Sequence, residues 1–284
     1  MALESTIVVH GLPAPVNLEV ARDCELAVRA GGAVPATIGV IDGVLRIGMT
    51  SEELATLADP LRTAAKLSAR DLGFAVAQRL NGATTVAGTI VIAQRAGIAV
   101  MATGGLGGVH RGAAESFDES ADLTALSRTS VIVVASGAKS ILDVGATLER
   151  LDTLGVPVWG YRTTQFPGFY LSDSGYGLDW SLESPDEVAA AFAAHRLVST
   201  TGALLAQPIA HERQLDPVLH DAALAGALAV VEARGVRGKE VTPVLLEEFA
   251  RHSAGLSVQV NRDLVVSNAR LAGAVAHSLA SSTA

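Results

Sequence analysis

Residues 131–140, Val-Ile-Val-Val-Ala-Ser-Gly-Ala-Lys-Ser, join an unbroken apolar run to a short turn of small and polar residues. A run of β-branched residues without a polar member is typical of a strand buried on both faces of a sheet. Comparable runs recur along the chain, and segments with helical spacing separate them. These runs are residues 6–9, 36–41, 98–102, 156–160 and 203–206. The alternation predicts a three-layer α/β/α fold in which helices cover both faces of a mainly parallel central sheet.

Capping residues mark where several helices should begin, because their side chains accept hydrogen bonds from the first helical turn. Thr50 with Glu53 has the spacing of a capping box. Ser184 with Glu187 has the same spacing, and Pro185 suits the first helical position. Both sites are therefore expected to start helices.

The C-terminal part of the chain has a different pattern, which is mostly helical from Asp216 onward with breaks at Gly235 and Gly238. This predicts a helical C-terminal layer. No linker rich in Pro, Ser or charge divides the chain, so residues 1–284 are expected to form one domain. Residues 162–180 lack any periodicity and predict a long loop of the kind that often forms a lid or a binding surface.

Composition and charge exclude several classes of protein. The chain has 284 residues and a formal net charge of −8 at pH 7, which argues against nonspecific nucleic-acid binding. Its most apolar stretch, residues 83–93, is shorter than the ~20 residues of a membrane-spanning helix. Cys24 is the only cysteine, and no Lys or Arg precedes Arg22, so neither a disulfide framework nor a secretory signal is expected. We therefore expect a cytoplasmic protein.

A glycine-rich segment at residues 103–112, Thr-Gly-Gly-Leu-Gly-Gly-Val-His-Arg-Gly, follows the predicted strand at 98–102. Glycines let a backbone approach a ligand closely and present N–H groups to an anion. The spacing is not that of a dinucleotide-binding fingerprint, because His110 occupies the third glycine position. A ligand-binding loop and a flexible connection both fit this segment.

Asp118, Glu119 and Asp122 place three carboxylates within five residues. Carboxylate oxygens and water are the ligands that Mg²⁺ and Mn²⁺ prefer. Asp, Glu and Ser are also common helix caps. The segment therefore indicates either a hard-cation site or the start of a helix.

Lys66, Lys139 and Lys239 are the only lysines among the 21 basic residues. A lysine, unlike an arginine, can lose its proton and act as a nucleophile. Lys139 opens a predicted helix, where the helix dipole disfavours a cation, so it is expected to bind phosphate or to act as a nucleophile. A surface lysine whose stem reaches solvent is the alternative. From pattern alone Lys66 and Glu4 look ordinary, and Lys239 is expected at the surface.

Eight motifs, spread over nearly the whole chain, carry a resemblance to one known family. They are Ala2-Leu-Glu-Ser-Thr, His10-Gly-Leu-Pro, Gly32-Ala-Val-Pro-Ala-Thr-Ile, Gly82-Ala-Thr-Thr-Val-Ala, the segment 103–112, Phe117-Asp-Glu-Ser-Ala-Asp-Leu, Gly137-Ala-Lys-Ser-Ile-Leu-Asp and Gly238-Lys-Glu-Val-Thr-Pro. The family they resemble is pseudouridine-5′-phosphate glycosidase, which also includes proteins called indigoidine synthase A. The resemblance implies reversible cleavage of the C–C glycosidic bond of pseudouridine 5′-phosphate to uracil and ribose 5-phosphate. It also implies a homotrimeric α/β/α enzyme that uses Mn²⁺.

Position by position, the resemblance implies roles for residues of this chain. Lys139 is the expected nucleophile, Glu4 the expected proton donor and Asp118 the expected metal ligand. The residues expected to bind substrate are Lys66, Val86, Ser120, Ala121, Asp122, His110 and Asn261.

The chemistry of a carbon–carbon glycoside suits these expectations. Uracil C5 is a poor leaving group, but an iminium formed by Lys139 at C1′ would be an electron sink that lets the bond break once C5 is protonated. Glu4 is suited to carry that proton. Two alternatives stay open: a pigment-cluster accessory enzyme of the indigoidine type that acts on a related phosphorylated intermediate, and a non-catalytic regulator that binds a sugar phosphate. The pair Lys139 and Glu4 argues against the regulator, because binding alone needs no nucleophile and acid.

Overall fold

The structure is a computed structural model that describes residues 1–59, 61–236 and 241–282, and in these ranges ten strands form one sheet. In chain order the strands are β1 Ala2–Leu3, β2 Ala36–Ile41, β3 Val44–Ile47, β4 Ala65–Leu67, β5 Gly82–Thr84, β6 Val100–Ala102, β7 Ile132–Ala135, β8 Val158–Tyr161, β9 Ser181–Leu182 and β10 Ala203–Ala206. Their order across the sheet is β4-β5-β2-β1-β6-β7-β10-β8-β9, and β3 pairs with β2.

The sheet is mainly parallel, as the sequence predicts. From β2 through β1, β6, β7, β10 and β8 to β9, every neighbouring pair is parallel. β5 is antiparallel to β2, and β4 is parallel to β5. The carboxyl ends of β1 and β5 therefore approach each other from opposite directions beside Ile38 on β2.

Ser5 joins the strands at this meeting point. Its buried hydroxyl donates to the Ile38 carbonyl at 2.7 Å and accepts from the Thr84 N–H at 2.9 Å. One side chain thus satisfies backbone groups of β2 and β5 directly after β1 ends, which brings Glu4 close to the end of β5.

Helices cover both faces of the sheet, which confirms the three-layer prediction. They are α1 Val16–Ala30, α2 Ser51–Leu57, α3 Leu72–Ala77, α4 Val86–Arg95, α5 Ala113–Ser116, α6 Ala121–Leu126, α7 Val144–Thr153, α8 Pro185–Val198, α9 Pro217–Arg234, α10 Val241–His252 and α11 Leu256–Ser281. One buried apolar cluster lies under α1 and α8 to α11, and a second lies under α3, α4, α6 and α7. Because successive side chains of a strand point to opposite faces, β7 contributes Ile132 and Val134 to the first cluster and Val133 and Ala135 to the second.

The C-terminal layer consists of α9, α10 and α11, as the sequence predicts. Asp216 caps α9 by accepting from two backbone N–H groups at 3.0 Å, and Gly235 ends α9 with a φ of 62°. α11 packs closely on α1, because a Cβ on Gly273 would lie only 2.6 Å from the Val28 carbonyl oxygen. Gly238 and Lys239 lie outside the described residues. No helix among the described residues combines the length and the apolar character needed to cross a membrane.

The predicted helix caps are present. The Thr50 hydroxyl accepts from the Glu53 N–H, and the Glu53 carboxylate accepts in return from the Thr50 N–H, which completes the capping box. Ser184 caps α8 in the same way, but the Glu187 carboxylate accepts from the Glu183 N–H instead of the Ser184 N–H.

The prediction of a strand at residues 6–9 is wrong. Residues 6–9 are not extended, because Ile7–Gly11 form a single π-helical turn after the two-residue strand β1. The β-branched run serves helical packing instead: Val8 is buried in a small cluster with Met49, Leu54 and Leu57. The other predicted strands are confirmed apart from their ends.

The start of the helix after β7 is also predicted wrongly. That helix, α7, begins at Val144 with Asp143 as its cap, whose carboxylate accepts from the Ala146 N–H at 3.0 Å. Lys139 therefore lies in the preceding loop rather than at a helix N-terminus. The helix starts late because the backbone around Ala138 pairs with the glycine-rich segment instead.

Residues 162–180 form the predicted long loop, and neither a helix nor a strand is assigned there. The side chains of Phe166, Phe169 and Tyr170 are buried in the two apolar clusters. The loop is therefore anchored in the core by its aromatic residues.

Candidate active site

A cavity of about 430 Å³ opens where β1, β4, β5, β6 and β7 end. The ten residues that the sequence analysis singles out for catalysis, substrate or metal all line it. They are Glu4, Lys66, Val86, His110, Asp118, Ser120, Ala121, Asp122, Lys139 and Asn261. Residues far apart in sequence are thus brought to one place. The parallel strands β1, β6 and β7 deliver their carboxyl ends to the same edge of the sheet, and β4 and β5 reach the same place from the opposite direction.

The loop that carries Lys139 is paired with the glycine-rich segment. The Leu106 N–H donates to the Gly137 carbonyl at 2.9 Å, and the Lys139 N–H donates to the Leu106 carbonyl at 3.1 Å. These bonds continue the β6–β7 pairing beyond the strands and fix the backbone of Lys139. The helix-dipole argument for this lysine does not apply, since Lys139 is in a loop.

Glu4 follows β1 directly and lies beside Thr103, whose hydroxyl donates to the Glu4 carboxylate. Burial raises the pKa of the Glu4 carboxyl, and the negative charge of Asp122 adds to this effect. Lys139, the Thr103 hydrogen bond and Lys66 oppose it without cancelling it. Glu4 therefore keeps its proton to higher pH than an ordinary glutamate, which suits a proton carrier.

Asp122 acts as a clamp between two loops. One carboxylate oxygen accepts from the Ala87 N–H at 2.9 Å, at the start of α4, and the other accepts from the Gly107 N–H at 3.0 Å. Ser120 caps α6, because its hydroxyl accepts from the Asp122 N–H. The helix-start interpretation is thus right for Ser120, while the Asp122 carboxylate is engaged by backbone groups.

The three carboxylates at 118–122 do not converge on one point. Glu119 forms an ion pair with Arg150 at 2.8 Å, and the Asp122 carboxylate accepts hydrogen bonds from the Ala87 and Gly107 N–H groups. Asp118 lines the cavity with one carboxylate oxygen 3.9 Å from His110 Nδ1. Among the described residues there is no group of three or more His, Cys, Asp or Glu side chains that could hold a metal ion. Asp118 is therefore the carboxylate of this segment that remains for a cation bound largely by water and substrate oxygens.

His110 lies on the wall of the cavity beside Asp118. Burial lowers the pKa of its imidazole, and Lys139 and Lys66 lower it further, while Asp118 raises it. The neutral ring is thus favoured, and it can both donate and accept a hydrogen bond.

Three buried oxygens at the cavity have no hydrogen-bond partner within the described part of the chain: Thr6 Oγ1, Ser68 Oγ and Asn261 Oδ1. Buried polar atoms without a partner cost stability, so they indicate contacts that a ligand or an ordered water molecule completes. Of the three, Asn261 was singled out by the sequence analysis, whereas Thr6 and Ser68 were not. Thr6 ends the motif Ala2-Leu-Glu-Ser-Thr, which is the one available signal for it, whereas Ser68 lies in none of the eight motifs.

Asn268 is a residue that the sequence analysis missed. Its buried amide on α11 donates to the Thr103 carbonyl at 2.9 Å and to the Ser136 hydroxyl at 3.1 Å. It therefore ties the glycine-rich segment to the loop of Lys139. The sequence signal that could have indicated Asn268 is its position: it is a polar residue seven positions after Asn261, on the same face of α11 as the apolar Leu264 and Val265.

Phe169 closes one side of the cavity. Its backbone has a φ of 63°, which is uncommon for a residue other than glycine, and its N–H donates to the Ser136 carbonyl at 3.0 Å. The ring lies so close to Gly105 that a Cβ there would be 2.6 Å away. Gly105 is therefore required for this contact.

Comparison with known proteins gives a match to one family along nearly the whole chain. The family described as indigoidine synthase A like protein matches residues 1–278. The chain belongs to this family. Among its relatives, the pseudouridine-5′-phosphate glycosidase of Salinispora tropica is 56% identical over 97% of this chain and 86% of its own length. A protein of the same name from Saccharopolyspora erythraea is 52% identical over 99% of this chain and 92% of its own length.

Solved structures in this indigoidine synthase A like group have the same fold. The prealnumycin C-glycosynthase AlnA, solved in complex with ribulose 5-phosphate, superposes with a TM-score of 0.91 and is 41% identical, covering 99% of this chain and 92% of its own. An indigoidine synthase A-like protein from Thermotoga maritima has a TM-score of 0.90 and is 35% identical, covering 98% of this chain and 92% of its own.

The Asp122 clamp makes a prediction about Gly107. In Gly107→Ala the new methyl group would lie 2.3 Å from Ser120 Oγ and 2.7 Å from Asp122 Oδ2, so the clamp must shift. We expect the free energy of unfolding to fall by about 1–3 kcal/mol. Gly73→Ala on α3 is the control, since a Cβ there meets nothing within 4 Å, and it should raise stability by about 0.5–1 kcal/mol. Urea denaturation of the two variants measures both values, and equal effects would contradict the clamp.

Proposed function

We propose that this chain is a pseudouridine-5′-phosphate glycosidase, which cleaves the C–C glycosidic bond of pseudouridine 5′-phosphate reversibly to uracil and ribose 5-phosphate. The observation that carries the proposal is the presence of the Lys139 amine and the proton-retaining Glu4 carboxyl in one cavity. The names of relatives that are 52–56% identical over nearly the whole chain support it.

In the proposed mechanism the Lys139 amine attacks C1′ while Glu4 gives a proton to the ring oxygen, which leaves C1′ as a hydroxyl group. The ammonium formed by the attack returns a proton to Glu4, and Glu4 then protonates uracil C5. The bond between C1′ and C5 breaks as the lone pair of the lysine nitrogen forms an iminium at C1′. Uracil leaves with the electrons of the broken bond. Water then adds to the iminium, which releases ribose 5-phosphate and restores the free amine. One water molecule is consumed per cleavage, so atoms and charge balance.

Binding of the phosphorylated ribose is assigned to the basic side of the cavity. Lys66 and Lys139 both act electrostatically on Glu4 and on His110, so two basic side chains lie near the reacting groups of a chain with a net charge of −8. α4 begins at Val86 on the cavity wall, where a helix N-terminus favours an anion. Because the Ala87 N–H at this helix end already donates to Asp122, we assign the phosphate to Lys66 and the adjoining Val86, and the ribose side to Ser120, Ala121 and Asp122.

Recognition of the base is assigned to Asn261. Its amide is buried, its Oδ1 has no partner within the described residues, and it lies across from Gly104. A carboxamide offers one acceptor beside one donor. Uracil offers the complementary pair, a ring N–H beside a carbonyl oxygen, so Asn261 can hold the base by two hydrogen bonds.

Mn²⁺ is the proposed cofactor, with Asp118 as its protein ligand. The donor set fits a hard cation that keeps most of its water and binds substrate oxygens, because Asp118 is a single available carboxylate on the cavity wall. When bound, the ion supplies positive charge that stabilises anionic oxygens of the substrate. His110, beside Asp118, would help to orient that carboxylate.

A second enzyme function is favoured by one observation. The 41% identical protein AlnA is named a C-glycosynthase, so carbon–carbon glycoside formation on another acceptor is a reaction of a close structural relative. An accessory enzyme that acts on a related phosphorylated intermediate would use the same Lys139 and Glu4. Consumption of pseudouridine 5′-phosphate by the purified protein, followed through uracil absorbance, decides between the two. The homotrimer and the cytoplasmic location stay predictions, and sedimentation of the purified protein tests the first.

The nucleophile assignment predicts that Lys139→Ala abolishes turnover without loss of the fold, because a methyl group cannot form an iminium. Lys139→Arg keeps the positive charge and should be equally inactive, which separates nucleophilic from electrostatic roles. Borohydride reduction in the presence of ribose 5-phosphate should add one sugar-phosphate mass to Lys139 in the unmodified protein. Peptide mass spectrometry locates the adduct, and its appearance on Lys66 instead would overturn the assignment.

The pKa of Glu4 predicts the high-pH limb of the rate profile. Only the protonated carboxyl can donate, and its pKa is raised, so kcat/KM for cleavage should fall as pH rises through this elevated pKa. Thr103→Val removes a hydrogen bond that lowers this pKa, so the limb should move to higher pH. Glu4→Gln should be slow and should lack the limb. If the high-pH limb of the kcat/KM profile does not move in Thr103→Val, the limb reports the titration of a group other than Glu4.

The metal assignment predicts that an excess of chelator stops turnover and that Mn²⁺ restores it best. Asp118→Asn should need far more Mn²⁺ for half-maximal turnover, whereas Glu119→Gln should not, since Glu119 is already paired with Arg150. A titration of turnover against Mn²⁺ concentration measures this. Undiminished turnover in chelator would leave Asp118 without a metal role.

A further inference from the structure

A second cavity of about 380 Å³ adjoins the active-site cavity. It lies between the π-helical turn Ile7–Gly11, α10 and α11. The two cavities share lining residues, including Leu246 and Asn261. Of the residues that only the second cavity has, most are apolar, among them Val9, Leu12 and Val258, and the polar ones are Tyr170, Glu247 and Ser257. It therefore favours an apolar occupant over a sugar or a phosphate.

The boundary between the two cavities is the side chain assigned to the base. Asn261 lines both of them, and its buried Oδ1 lacks a partner within the described part of the chain. The first cavity already has the volume of a typical small-molecule site, so uracil and ribose 5-phosphate do not need the second. A base held by Asn261 would lie directly against the apolar space. A substituent on that base could extend into it without disturbing the phosphate or Lys139.

We propose that the second cavity is a subsite for an apolar substituent on a ring nitrogen of the base. This inference rests on the function proposed above and extends its substrate class from pseudouridine 5′-phosphate to C-nucleotides whose base carries such a group. In the synthetic direction, C1′ of ribose 5-phosphate bonds to C5 of an N-substituted uracil. The proton of C5 goes to a cavity base, and one water molecule is released. The substituent takes no part in the step, and no oxidant or reductant is needed.

The experiment supplies ribose 5-phosphate and Mn²⁺ with uracil, 1-benzyluracil or 3-benzyluracil, and measures C-nucleotide formation by liquid chromatography and mass spectrometry. At least one benzyluracil should react, namely the isomer whose substituted nitrogen is not the one held by Asn261. Val258→Phe narrows the second cavity and should lower kcat/KM for that benzyluracil by about tenfold or more. The same variant should leave kcat/KM for uracil within about twofold, because Val258 does not line the first cavity.

Two further variants test whether the loss of activity comes from filling the second cavity. Ala250→Leu fills the second cavity from α10 and should reproduce the selective loss. Leu256→Phe enlarges an exposed side chain on α11 that lines neither cavity, and should change nothing.

The outcomes separate this inference from the proposed function. No product from uracil would contradict the proposed function itself. Product from uracil but from neither benzyluracil would overturn the subsite alone. The subsite is also overturned if a benzyluracil reacts equally well in Val258→Phe and Ala250→Leu, or if both variants lose uracil activity to the same extent as benzyluracil activity.

Discussion

Two backbone hydrogen bonds between Leu106 and the turn at residues 137–139 hold the candidate active site together. Leu106 and Gly137 are both buried, so the backbone groups that form these bonds must find partners inside the protein. The loop at residues 162–180 packs closely on this turn. Gly137 has a φ of 77°, and a Cβ there would lie 2.0 Å from the Pro167 carbonyl oxygen. Gly137 is thus required by close packing of backbones in addition to any contact with a ligand.

The carboxylates of the cavity behave differently because each has a different partner. Glu4 faces the Thr103 hydroxyl, and the loss of solvent around its carboxyl favours the protonated form. Asp122 accepts from two backbone N–H groups and stabilises loops, while Glu119 is paired with Arg150 at the rim. Asp118 has His110 as its neighbour. Four carboxylates in one cavity therefore have four different settings: Glu4 is a candidate proton carrier, Asp122 joins two loops, Glu119 forms an ion pair and Asp118 is a candidate metal ligand.

Much of the fold could be predicted from the sequence, because buried parallel strands such as 131–135 are unbroken apolar runs and because Thr50, Ser184 and Asp216 cap helices by local bonds. β1 could not be predicted, since two residues are too few to produce a pattern. The neighbouring run 6–9 has the composition of a strand and was therefore predicted as one in its place. The start of α7 depends on pairing with Leu106, a contact invisible in the local sequence.

The site residues came from family motifs more than from local pattern, since Lys66 and Glu4 look ordinary in their own segments. Roles that depend on tertiary contacts, such as those of Asn268 and Phe169, had no comparable signal.

The two hydrogen bonds of Asn268 also set the order in which the site can be assembled during synthesis. Asn268 follows its partner Ser136 by 132 residues, so the ribosome makes the segment of Lys139 long before the helix that secures it. While α11 is still in the exit tunnel, the Thr103 carbonyl and the Ser136 hydroxyl lack this amide. A nascent chain therefore carries the lysine without the architecture that positions it, and the pocket is completed only after α11 has been made.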